Sequence, residues 1–171
     1  MLRLGHRVVL LAFFGAIISG CASYGPSQKL IGKSRAEVVA IMGPPTQQKS
    51  LQDGTRLVYA RGPYGLHTYM IDFNRSDVLT QWKQVLHEKN FESITPGMSG
   101  QEVEAIIGPS LEKSLLGRSR GEVWSYRFEN SLCIWFQVEL DKQLLVRSAG
   151  YGIPPECARD DDRVAGIGLI S

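Results

Sequence analysis

Hydrophobic and polar positions follow three rhythms along the chain. From Val8 to Ile18 (VVLLAFFGAII) the sequence is apolar without a break, preceded by Arg3 and Arg7 and followed by Ser19-Gly20-Cys21. Apolar residues then return at helical spacing in two short windows, Val38-Ile41-Met42 and Val103-Ile106-Ile107. Each set falls on one side of a 3.6-residue turn, so each window predicts a short amphipathic helix. After each window the period drops towards two. Leu57-Val58-Tyr59, Thr68 to Phe73 and Val78 to Leu86 read as strands, and Glu122 to Glu129, Leu132 to Leu140 and Leu144 to Tyr151 read as a second set. Arg61-Gly62-Pro63-Tyr64-Gly65 and Asn74-Arg75-Ser76-Asp77 are turn clusters between strands.

The two sets are versions of one pattern. Residues 32–44 (GKSRAEVVAIMGP) and 97–109 (GMSGQEVEAIIGP) agree at eight of thirteen positions at an offset of 65. The match then resumes at an offset of 67, pairing Gly54 with Gly121, Tyr59 with Tyr126, Ile71 with Val138 and Phe73 with Leu140. A repeat of this length is one supersecondary unit used twice. Ser34 with Glu37, and Ser99 with Glu102, have the spacing of a capping box, in which hydroxyl and carboxylate satisfy orphan backbone donors at a helix start. Gly43 and Gly108 fit the left-handed position after a helix, and Pro44 and Pro109 bar its continuation. The fold class expected is α+β, with two tandem units of a short helix followed by an antiparallel meander. One such unit buries little apolar surface, so the two are expected to share a core and pack as one two-layer unit.

The first apolar run has a different meaning. A basic start, an apolar stretch of 7–15 residues and small residues before a cleavage point are the layout of a secretory signal. The 11 residues of this run are too few for a spanning helix, which needs about 20. Ile18-Ser19-Gly20-Cys21 resembles a bacterial lipobox, which implies acylation of Cys21 and cleavage before it. Several acyl chains make a firm anchor at about 0.8 kcal/mol per buried methylene. In lipoproteins of this kind an Asp after the cysteine retains the protein at the inner membrane. Ala22 and Ser23 follow here, so the periplasmic face of the outer membrane is the expected address.

Charge and cysteine count refine this picture. The formal net charge is +2, and loss of Arg3 and Arg7 from the 19 Lys+Arg leaves a number equal to the 17 Asp+Glu. A neutral mature chain has no basic footprint for nucleic acid. With Cys21 assigned to lipid, Cys133 and Cys157 remain, and in an oxidising compartment such a pair most often forms a disulfide. Closing that loop contributes about 3.5 kcal/mol in the chain-entropy picture. Zinc ligation or a catalytic thiol are rival readings, but neither cysteine sits in a Cys-x-x-Cys or Cys/His cluster.

The motif Gly-x-Ser-x-x-Glu-Val-x-x-Ile-x-Gly-Pro, the aromatic strand Trp124-Ser125-Tyr126 and the lipobox together resemble the BamE (SmpA/OmlA) family of small outer-membrane lipoproteins. The resemblance spans residues 30–85 and 95–152. Similar duplicated helix-then-strands units occur in secreted β-lactamase-inhibitor proteins. Family members of the assembly type usually carry one copy, whereas this chain carries two and the Cys133/Cys157 pair. The resemblance implies a binding or scaffolding role beside the β-barrel assembly machinery, with barrel-assembly components as partners and no catalysis. An inhibitor or ligand-binding lipoprotein is the alternative it leaves open.

The residues independently point to a role without chemistry. His6 leaves with the signal segment, and His67 and His87 have no spaced ligands around them, so exposed or edge positions are expected and neither a metal nor a cofactor is implied. No Gly-x-Ser-x-Gly, Walker or His-Glu-x-x-His motif occurs. Gly117-Arg118-Ser119-Arg120-Gly121 lacks the strand-then-helix context of a phosphate site and reads as a hairpin loop. Asp160-Asp161-Asp162 lacks the spacing of a calcium loop and reads as a solvated tail. Trp82, Trp124, Tyr126, Trp135 and Phe136 are expected in the core, with one of the Trp135–Phe136 pair exposed or covered by the other unit, because strand neighbours face opposite ways. Tyr64, flanked by Pro63 and Arg61 at a loop tip, is the candidate anchor for a partner, with simple turn packing as the competing account. The boundaries expected are 1–20 signal peptide, 21–29 lipidated tether, 30–92 first unit, 93–157 second unit and 158–171 flexible tail.

Overall fold

The computed structural model describes residues 22–117 and 121–158. The signal segment, Cys21, Arg118-Ser119-Arg120 and Asp160-Asp161-Asp162 lie outside the described residues. After a 3-10 turn at Gln28–Leu30, the chain forms α1 (Arg35–Met42) and four strands, β1 (Gln47–Leu51), β2 (Gly54–Ala60), β3 (Thr68–Asn74) and β4 (Leu79–Gln84). A single turn, α2 (Glu88–Phe91), leads to α3 (Gly100–Ile107) and to β5 (Glu112–Leu116), β6 (Gly121–Arg127), β7 (Trp135–Leu140) and β8 (Val146–Gly152). The strands form two separate four-stranded antiparallel sheets, in the orders β1-β2-β3-β4 and β5-β6-β7-β8. The α+β class and the helix-then-meander order are therefore as the sequence indicates.

The meander has one strand more per unit than the apolar periodicity indicates. β1 (QQKSL) and β5 (EKSLL) are largely exposed edge strands. They are tied to the sheet on one side by backbone bonds, so their side chains are free to be polar. Pairing also locates the length difference between the units. Leu51 faces Gly54 at the end of the first hairpin, whereas Leu116 faces Gly121 at the end of the second. The two extra residues sit in that turn, and register is restored beyond it. The bulge at Asp72/Phe73 recurs at Glu139/Leu140, and the bridge Ser34–Val78 recurs at Ser99–Leu145.

Each helix is fixed to its own sheet. Both capping boxes are formed, with Ser34 and Ser99 accepting from the N–H of Glu37 and Glu102 and each carboxylate accepting in return. Gly43 and Gly108 have φ of 80° and 79°. Their ψ values are extended, not left-handed helical as expected, because a following proline excludes helical ψ from the residue before it. The phenol of Tyr59 then donates to the Gly43 carbonyl at 3.0 Å, and that of Tyr126 to Gly108 at 3.2 Å.

Burial consequently divides into clusters in place of the shared core expected. Leu30, Val38, Met42, Leu57, Tyr59, Ile71, Phe73 and Leu79 form the first. Leu86, Phe91 and Ile94 of the connector join Val103, Ile107, Trp124, Tyr126 and the apolar residues of β7 and β8 in the second. Ile41 does not lie on the buried stripe of α1. It is 38% exposed, and Val39 packs on the cluster instead. Trp135 and Phe136 are both buried. Phe136 belongs to the second cluster, while Trp135 on the opposite face lies under the Arg127 guanidinium, 5.1 Å from the ring centre.

The units meet at the sheet-1 face turned away from α1. Val58 and Met70 are buried there, and Gly108 lies against Thr68 and Val58. Glu104 of α3 accepts from the Gln47 amide at 3.2 Å and faces Lys49 at 3.7 Å. Beside this contact Arg56 grips Asp72 through two bonds of 2.6 and 2.8 Å. The equivalent pair in the second unit is Val123 facing Glu139.

Candidate functional site

Arg61 to His67 joins β2 to β3, and its backbone closes on itself. The Arg61 N–H donates to His67 O, and the Gly65 N–H donates to Arg61 O, each at 3.0 Å. Gly65 is required here, because a Cβ on it would collide with the Arg61 backbone. Pro63 and Tyr64 project from the tip, and Tyr64 is 89% exposed. Arg61 points inward. Its guanidinium donates to Tyr24 O at 2.6 Å and Ser23 O at 2.9 Å, and stacks between the rings of Tyr24 and Tyr59.

The loop therefore holds the first described residues of the chain. The Ser23 N–H donates to Ile41 O at 2.8 Å. The Tyr24 phenol accepts from the Leu66 N–H at 3.2 Å and lies 3.0 Å from His67 Nδ1. His67 is stacked on Tyr69 at 5.7 Å, and the Tyr24 ring meets both edge-on. His67 is thus a packed member of an aromatic cluster and not the edge residue expected; His87 is exposed at the start of α2. Residues 22–25, expected as part of a tether, are docked on the first unit.

His67 also reaches the second unit, with Nε2 3.5 Å from Glu129. Glu129 lies on the β6–β7 connection, the counterpart of the Arg61–His67 loop. Leu132 and Cys133 are on the same connection, and Cys133 is disulfide-bonded to Cys157 with Cα atoms 6.3 Å apart. This joins the segment after β8 to the loop. Arg127 at the end of β6 lies 3.5 Å from Glu112 and is also paired with Glu156.

Tyr24, Leu66 and Glu129 are not singled out by the sequence pattern, and the pattern around His67 does not show that it packs with them. Their pairing spans 42 residues or more, which no local pattern encodes. An aromatic three positions after Cys21 was the available signal. Among the described residues no group of His, Cys, Asp and Glu is arranged to hold a metal, and no helix is long and apolar enough to cross a membrane.

No family model matches the sequence, and no curated protein matches it. Two solved structures are similar at a distance. A DUF4309 family protein (YjgB) from Bacillus subtilis shares 11% identity at a TM-score of 0.29, over 75% of this chain and 84% of that one. An extracellular protein containing a SCP domain from Bacillus anthracis shares 10% identity at a TM-score of 0.29, over 85% of this chain and 57% of that one. Superpositions this loose carry no argument about fold or function.

Proposed function

We propose that the protein is a non-catalytic lipoprotein of the outer membrane's periplasmic face, a protein-binding scaffold in outer-membrane protein assembly or envelope integrity. The observation that carries this reading is the docking of Ser23 and Tyr24 onto the Arg61–His67 loop. A lipid on Cys21 would then be attached at the surface of the folded unit, beside an exposed contact element. Arg61 acts as the positioning residue that holds the loop and the N-terminal segment together, with Pro63 and Tyr64 exposed at the loop tip. The resemblance of the helix motif to the BamE family supports assembly components as the protein partners.

Capture of the acylated chain from envelope extracts, with Cys21→Ala as the comparison, tests the reading. Co-recovery of barrel-assembly components, lost in Cys21→Ala, is the expected result. Recovery of a single soluble hydrolase by both forms would replace the scaffold by an inhibitor.

A further inference from the structure

We infer that the Tyr64 tip contacts the lipid surface itself, so that the protein is seated on the bilayer at this end. The inference rests on the acylation of Cys21 proposed above.

Acyl chains on Cys21 lie in the hydrocarbon, and adjacent Cα atoms are about 3.8 Å apart, so Ala22 must lie at the interface. Ala22 is packed near Gly43, and Ser23 and Tyr24 are bonded to Ile41, Arg61 and Leu66. From Ala22 onward the described chain is held against the first unit without an intervening free stretch. The loop that clasps the chain's entry therefore lies against the membrane together with it. Its tip carries an aromatic ring with a polar hydroxyl, the side-chain type that settles at the boundary between apolar and aqueous phases. On the neighbouring β6–β7 connection, which His67 reaches through Glu129, Leu132 is 74% exposed, and Ile153 beyond β8 is 61% exposed. A charged headgroup is not what this end is built for. Arg61 is already engaged by carbonyls, and Glu129 and Glu156 flank the surface. A neutral interface is the partner that fits. Seven-residue strands place the opposite hairpins about 20 Å away.

Leu115 provides the control, since it is 84% exposed on β5 next to the far hairpin. The chain from Cys21 onward, coupled through that thiol to a maleimide phospholipid in phosphatidylcholine vesicles, is compared as Tyr64→Trp and Leu115→Trp, with the parent emission subtracted. Brominated acyl chains should quench about half or more of the indole emission introduced at position 64 and leave that at position 115 unchanged. Equal quenching at both positions, or none at 64, overturns the inference. So does Tyr64→Ala weakening capture of a protein in detergent, where no bilayer exists. Failure of the lipoprotein reading would show separately, as an unacylated Cys21 in the mass of protein recovered from envelopes.

Discussion

The phenol of Tyr126 donates to the carbonyl of Gly108, tying the end of α3 to the centre of β6. Burial pushes the Tyr126 phenol far above its ordinary value, with Glu104 adding to the shift, and burial also raises Tyr59. Tyr126→Phe should cost about 1–2 kcal/mol in urea unfolding, because a buried carbonyl loses its donor. Both folded values lie above the unfolded value of about 10, so the stabilisation is complete below that pH and declines as pH rises through it. Melting temperatures between pH 8 and 11 should fall for the parent chain and fall less steeply for Tyr126→Phe. Parallel curves would show that Tyr126 is not the group responsible.

At the acid end the capping boxes govern. The Ser34 N–H, then Lys33, hold the Glu37 carboxyl down to about 2, and the Ser99 N–H lowers Glu102. A depressed carboxyl stabilises above its unfolded value and loses that contribution as pH falls towards the folded one. Carboxyl-carbon NMR should find Glu37 ionised at pH 3. Titration near the ordinary carboxyl value of 4.5 would contradict the bond.

The Arg56–Asp72 pair is mostly shielded from solvent, at 18% and 9% side-chain exposure. Removing one partner leaves the other charge stranded, so Asp72→Ala should lower stability by about 3 kcal/mol, whereas Arg56→Met with Asp72→Leu should recover most of the loss. Denaturant midpoints of the three chains decide this. A mild single-variant effect would mean the pair is solvated.

Gly100 begins α3, where propensity alone favours alanine by up to about 1 kcal/mol. Here a Cβ would come within 2.7 Å of the Trp124 ring. In the first unit the same two positions hold Arg35 and Leu57, so the larger ring and the missing side chain compensate each other. Gly100→Ala should therefore destabilise, and a raised melting temperature would refute the contact.

Much of this was legible in the sequence because the repeat gives two readings of every feature. Ser34/Glu37 and Ser99/Glu102 announced both helix starts, and the change of offset from 65 to 67 located an insertion before Gly54 and Gly121. β1 and β5 were not legible, since exposed edge strands need no alternating apolar residues. The face of α1 is ambiguous in the sequence, because Val39 and Ile41 flank the Val38–Met42 line equally and only packing chooses between them. Tyr64 stood out as an aromatic in a turn. The role of Arg61 did not, because its acceptors are carbonyls at residues 23 and 24, which sequence spacing cannot bring near it.

Two sheets of matching register in one chain create a hazard of exchange during folding, with β3 pairing against β6 in place of β2. That exchange would set Val123 opposite Asp72 and leave a shielded carboxylate without its guanidinium. The pair Arg56–Asp72 thus labels the first sheet as distinct from its twin, and the growing chain has an electrostatic reason to match each strand with its proper neighbour.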